Sequence, residues 1–198
     1  MLRPASLLLI MCCGYASAAP AKPDTASAVF AGGAFWCLEA AFEAVPGVDS
    51  VEAGYTGGTA PAPSFDALSS KDSVWVQAVK VHYRPSKVAY RKLLDTFWRN
   101  IDPTRGDGQF TDDGLQYRTA VFFADESERK AAEGARDRLG KSKRFAKPVV
   151  TEVKAAGEFF RAEAEHQDYA KKNGPRYRAY YSFSGRDGFF RKAWGKRK

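Results

Sequence analysis

The sequence predicts an α+β domain, on three observations. Short apolar runs of strand type are interleaved irregularly with segments whose apolar residues recur at helical spacing. No segment repeats another, so neither a solenoid nor a tandem arrangement is indicated. Of the 198 residues, 44% are hydrophobic and 14% aromatic, which is the make-up of one globular core and of a single domain.

Taken in order, Ala28 to Ala31 is an apolar run of strand type that turns on Gly32 and Gly33. Phe35, Leu38, Ala41, Phe42 and Val45 then fall at helical spacing. A buried strand thus hands over to a helix whose first turn carries two aromatics and the thiol of Cys37. Unpaired backbone N–H groups and aligned peptide dipoles favour negative charge at such a helix start. Val48 to Tyr55 alternates as a half-buried strand and ends in the Thr56-Gly-Gly58 turn. The prolines of Thr59-Ala-Pro-Ala-Pro63 lack a ladder donor, so a surface loop follows. Val74 to Tyr83 is the next strand, with Trp75, Gln77, Val79, Val81 and Tyr83 on one face and Val76 and Ala78 on the other. Ser86 is placed to cap a helix in which Tyr90, Leu93, Leu94, Phe97 and Trp98 share a face.

Ile101 to Gly114, rich in Gly, Asp and Thr, reads as a long loop of the kind that carries function or moves. Arg118 to Phe123 is a strand, and Asp125 with Glu128 gives a capping-box-like start to a basic helix ending near Gly140. Pro148 to Ala155 supplies another strand. After Phe159 and Phe160 a short helix carries His166 and Tyr169. The tail from Tyr177 to Trp194 is dense in aromatics and is expected to pack back over the domain.

Residues 1–18 read as a secretory signal: Arg3, the apolar run Leu7 to Cys13, and the small-residue cleavage site Ala16-Ser-Ala18. Residues 19–26 then read as a flexible linker and 27–198 as the domain, giving an exported protein, periplasmic or secreted. No other apolar run approaches the ~18 residues of a membrane span. Cleavage would remove Cys12 and Cys13 and leave Cys37 as the sole thiol, which precludes an intramolecular disulfide. An unpaired cysteine in an oxidising compartment is commonly a small buried hydrophobe. The formal charge of +8 is concentrated in Arg138 to Lys147 and Arg191 to Lys198. Without a stripe or a nucleic-acid motif it reads as solvated faces that favour acidic protein surfaces or anionic membranes, and no nucleic-acid partner is expected. With His82 and His166 the only histidines, no metal site is expected.

The order of residues adds a family. Gly33-Ala-Phe-Trp-Cys-Leu-Glu39 resembles the signature of the A-type peptide methionine sulfoxide reductases, Gly-Cys-Phe-Trp-(Gly or Cys)-x-Glu. The resemblance continues in Gly54-Tyr-Thr-Gly-Gly58, Phe97-Trp-Arg-Asn-Ile-Asp-Pro103, Gln109-Phe-Thr-Asp-Asp-Gly-Leu-Gln-Tyr-Arg118, Glu165-His-Gln-Asp-Tyr169 and Gly185-Arg-Asp187. It implies a two-layer sandwich with a central mixed sheet and reduction of the S-epimer of peptide methionine sulfoxide. It also implies no bound cofactor, and electrons from an external thiol or thioredoxin-type donor.

Reducing a sulfoxide needs a thiolate to attack sulfur, a donor for the leaving oxygen, and a pocket that holds the methyl group away from water. By resemblance, Phe35 and Trp36 match the aromatic walls, while Asp112 and Tyr117 match the polar groups around the sulfoxide oxygen. On residues alone, the aromatics also suit plain core packing, and Asp112-Asp-Gly114 a turn into a strand. Other positions depart from the family pattern. Ala34 stands where the nucleophilic cysteine is expected, Phe65 in place of a tyrosine, and Gln77 in place of a glutamate. Trp75 and its neighbours replace the Gly-His-Ala before that glutamate, and Thr111 and Ser184 stand where many relatives carry further cysteines. Gln77 can hydrogen-bond an oxygen but cannot deliver a proton.

Cys37 lies three residues beyond Ala34, displaced on a helix by ~4.5 Å in rise and about 60° in rotation. His166 reads as a structural hydrogen-bonder or part of the pocket rim. Three readings follow. The first is an exported reductase-family protein that recognises methionine sulfoxide through Phe35, Trp36, Phe65 and Gln77 with weak or lost catalysis. The second is an active reductase using Cys37, Asp112 and Tyr117, and the third a structural or interaction protein.

Overall fold

The computed structural model describes residues 24–58, 63–65, 68 and 74–195. The segment read as a leader, nearly all of the linker and most of the Thr59–Pro63 loop lie outside the described residues. Strand β1 spans Ala26–Ala31, so its first residue is the last of the segment read as linker. The chain then runs through α1 (Phe35–Glu43), β2 (Val48–Thr56), β3 (Val76–Tyr83) and α2 (Tyr90–Trp98). Next come β4 (Gly108–Gln109), β5 (Asp112–Asp113), β6 (Ala120–Phe123), α3 (Glu126–Lys141), β7 (Glu152–Ala155) and β8 (Phe160–Arg161). Three helices close the chain: α4 (Tyr169–Lys172), α5 (Gly174–Phe183) and α6 (Arg186–Trp194).

Six strands form one sheet in the order β7-β6-β1-β3-β2-β8. Every pairing is antiparallel except β6 with β7, so the sheet is mixed. Side-chain alternation sorts each strand between two faces. Ala28, Phe30, Ala53, Val79, Val81 and Val121 point into the main core with Phe35, Leu38 and Phe42 of α1 and Leu93, Leu94 and Phe97 of α2. Ala31, Val76, Ala78, Ala120 and Phe122 form a smaller cluster on the opposite face. The α+β two-layer arrangement follows, with α1, α2 and α3 covering one side. Phe30 anchors the packing, its ring 4.9 Å from that of Phe42 and 5.3 Å from that of Phe97. Truncating such a ring costs about 3–5 kcal/mol.

Several local expectations are corrected. Ser86 does not cap α2, which starts after Ala89 without a side-chain cap. Its N–H and hydroxyl donate instead to the Asp24 carboxylate in charge-assisted hydrogen bonds. The loop from Ile101 to Gly114 contains the β4–β5 hairpin. The expected strand from Arg118 starts only at Ala120, because a 3₁₀ turn over Leu115–Tyr117 uses the preceding residues. The strand expected from Pro148 shortens to Glu152–Ala155. The aromatic tail packs back unevenly. Phe190 is buried in α6, whereas Phe183 at the end of α5 is 87% exposed. At the start of α3, Asp125 accepts from the N–H of Glu128, whose carboxylate accepts from the N–H of Ala124.

Candidate active site

The site is built where β1 turns into α1. Gly33 takes φ +84°, a conformation that favours glycine, and its N–H donates to the carbonyl of Tyr117. A methyl group there would lie 2.9 Å from Gln109. The turn leaves the first N–H groups of α1 without helical partners, and two side chains satisfy them. Ala34 N–H donates to Asp112 Oδ2 over 3.4 Å, and Phe35 N–H to Gln77 Oε1 over 3.2 Å.

A cavity of about 330 Å³ opens beside this turn. Its walls include Phe65, Leu68, Gln77, Asp112, Gln116 and Tyr117, with Thr111 and Asp113 at its edge. Two segments far apart in the chain therefore meet here: β3 supplies Gln77, and the hairpin and following turn supply Asp112 and Tyr117. Gln77 and Tyr117 are hydrogen-bonded, and burial, followed by the Asp112 charge, pushes the Tyr117 phenol above its ordinary range. Because Gln77 Oε1 is committed to Phe35, its amide N–H₂ is the group left for the Tyr117 oxygen. The Tyr117 proton is then free to donate into the cavity. Gln116, 5% exposed, belongs to the same wall, its buried Oε1 without a donor among the described residues.

Asp112 is held by more than its place in the hairpin. Its Oδ2 accepts from Tyr180 over 2.6 Å and from Arg186 Nη2 over 2.8 Å. Arg186, fully buried, stacks over the rings of Phe110 and Tyr180. Neither Tyr180 nor Arg186 was singled out from sequence. The Gly185-Arg-Asp187 motif was the available signal, but an arginine in a basic tail reads as solvent-facing.

The remaining expected residues, Phe35, Trp36 and Cys37, and likewise His166, do not line this cavity. Phe35 is wholly buried, its ring 6.3 Å from Phe65 and 5.5 Å from His166. Trp36, half-buried, stacks on Tyr169 at 4.0 Å. His166 stacks on Phe65 at 4.3 Å, at the rim of the aromatic group. Cys37 turns away. It lines a second cavity of about 500 Å³ with Ala41, Asn100, Tyr177 and Tyr181, and not the one with Asp112 and Tyr117. Burial pushes its thiol up to about 11, the Arg186 charge only partly opposing this. Tyr180 hydrogen-bonds with the thiol as well as with Asp112. Tyr177 hydrogen-bonds with the sulfur as well, and both contacts oppose the upward push without overcoming burial. Glu39, on the buried side of α1, accepts from the N–H groups of Asp168 and Tyr169 and so fixes the start of α4.

The family model for peptide methionine sulfoxide reductase matches residues 26–198. The chain belongs to the peptide methionine sulfoxide reductase family. The peptide methionine sulfoxide reductase MsrA of Bacillus licheniformis is 44% identical over 170 residues, covering 86% of this chain and 94% of the relative. Methionine sulfoxide reductase A of Corynebacterium diphtheriae superposes with a TM-score of 0.68 at 29% identity, over 77% of each chain. Reduced Mxr1 of Saccharomyces cerevisiae has the same fold, with a TM-score of 0.71 at 24% identity, over 77% of this chain and 88% of its own. Mxr1 is also known in complex with Trx2, an alignment at 20% identity that speaks to fold alone. Among the described residues no helix is long and apolar enough to cross a membrane, and no three His, Cys, Asp or Glu side chains gather as for a metal ion.

Proposed function

We propose that this chain is a reductase-family protein that recognises methionine sulfoxide in peptides or proteins without ordinary turnover. One observation carries the reading: the cavity that joins Phe65, Gln77, Asp112 and Tyr117 contains no thiol, and Cys37 lines a different one. Ala34, at the position matching the family nucleophile, has no sulfur with which to attack. Gln77, at the position matching the glutamate, has no proton to deliver to a leaving oxygen.

Recognition needs less than reduction. The sulfoxide oxygen is a strong acceptor and takes the free proton of Tyr117, while Phe65 and Leu68 provide an apolar wall for the methyl and thioether. Relatives that turn over would draw on an external thiol or thioredoxin-type donor. Here such a donor finds no oxidised cysteine beside the cavity to reduce. The leader read in residues 1–18 makes the protein exported, with Cys37 its only remaining cysteine.

The second reading, reduction through Cys37, requires a thiolate from a group whose proton is held to about 11. It also requires the sulfur to enter a cavity it does not line. Isothermal titration with matched peptides tests the proposal. A peptide carrying methionine-(S)-sulfoxide should bind more tightly than its methionine counterpart, and Tyr117→Phe should remove most of the difference. Equal affinity for the two peptides would refute it.

A further inference from the structure

A third cavity, far from Asp112 and Tyr117 in sequence, lies between α2, α3 and α6 and encloses about 260 Å³. Its walls are unusual in donor content. Arg91, Arg138 and Arg144 line it together with the indoles of Trp98 and Trp194. Trp98 is 4% exposed, and the indole N–H groups of both tryptophans are buried with no acceptor among the described residues. Both tryptophans belong to the wall of this cavity, with their indole nitrogens beneath its surface. The guanidinium carbons of Arg99 and Arg144 lie 4.7 and 4.5 Å from the Trp194 ring centroid, which fixes the indole in place.

Asp95 is the acidic wall residue, and its charge is already met by Arg99 at 2.9 Å and Lys92 at 3.8 Å. Arg144 donates to the carbonyl of Ala193, which orients its guanidinium. Arg91 and Arg138 make no ion pair among the described residues and line both this cavity and the neighbouring one that holds Asp125 and Glu128. We infer that this cavity binds a small oxyanion: inorganic phosphate, sulfate, or the phosphate of a small phosphomonoester. Arginine forks suit such tetrahedral acceptors. The basic segment around Arg138 to Arg144 is thereby one wall of a site as well as a solvated face.

The test is a ¹H–¹⁵N titration of the full chain, following the tryptophan indole signals at constant ionic strength. Inorganic phosphate, sulfate and phosphoserine are added separately, with sodium chloride as the control. Saturable shifts of the Trp98 and Trp194 indole signals with phosphate or sulfate are expected, and not with chloride. If phosphoserine saturates at lower concentration than inorganic phosphate, the monoester is the better ligand of the same site. Arg91→Gln combined with Arg138→Gln, both surface changes, should weaken binding about tenfold or more. Linear, unsaturated shifts that chloride reproduces, or affinity unchanged in the double arginine variant, would overturn the inference.

Discussion

Arg186 and Asp112, the latter a wall residue of the cavity, are joined by a 2.8 Å ion pair, with the arginine side chain 1% exposed. The pair ties α6, at the end of the chain, to the hairpin that carries the polar groups of the site. Tyr180 adds a 2.6 Å hydrogen bond to the same carboxylate oxygen, so Oδ2 has three donors. Removing one partner of a buried pair strands the other charge. Arg186→Ala should therefore lower stability by about 3–5 kcal/mol, read as a fall in the urea midpoint at unchanged slope.

Glu39 gives a pH dependence. Burial pushes its carboxyl up to about 7, the N–H groups of Asp168 and Tyr169 only partly offsetting the effect. The native chain then holds this proton more tightly than the unfolded one, whose glutamate titrates near ~4.3. Stability from this group is full below the unfolded value and falls as pH rises to about 7. Glu39→Gln should flatten that slope in denaturation curves taken between these pH values.

The thiol should be inert in the native state. With its pKa near 11, Cys37 at pH 8 should react with iodoacetamide about a hundredfold more slowly than free cysteine. Denaturation should restore the ordinary rate. Mass spectrometry of the alkylated protein reads both.

Much of the architecture was legible because alternation and helical spacing are local. Val76 and Ala78 against Val79 and Val81 sort to opposite faces of the sheet as the pattern of β3 requires. Strand β8 and the β4–β5 hairpin, two residues to a strand, are too short to leave a period. Ser86 misled because its partner Asp24 is 62 residues away in sequence. For the site, the motifs pointed to Phe65, Gln77, Asp112 and Tyr117 as separate positions, and folding places all four on one cavity. Arg186 was hidden because burial of a charge depends on tertiary partners that composition does not reveal.

Gly33 is the backbone constraint on which the cavity turns. Gly33→Ala meets both the positive φ and the 2.9 Å approach to Gln109, and should cost about 1–3 kcal/mol in chemical denaturation.

Restoring the missing groups should rescue activity only in combination. Ala34→Cys alone places a nucleophile beside Gln77, which cannot donate a proton. Ala34→Cys with Gln77→Glu should exceed the single variant by about a hundredfold in methionine formed per minute. Equal rates for the two would show that the acid matters less than the sulfur.

The most direct measurement is turnover by the unaltered protein. A methionine-(S)-sulfoxide peptide is incubated with it and excess dithiothreitol, and methionine is quantified by mass spectrometry. Peptide reduction no faster than in the protein-free control is expected, because no sulfur faces the cavity. Many methionines formed per chain, abolished by Cys37→Ser, would contradict the account.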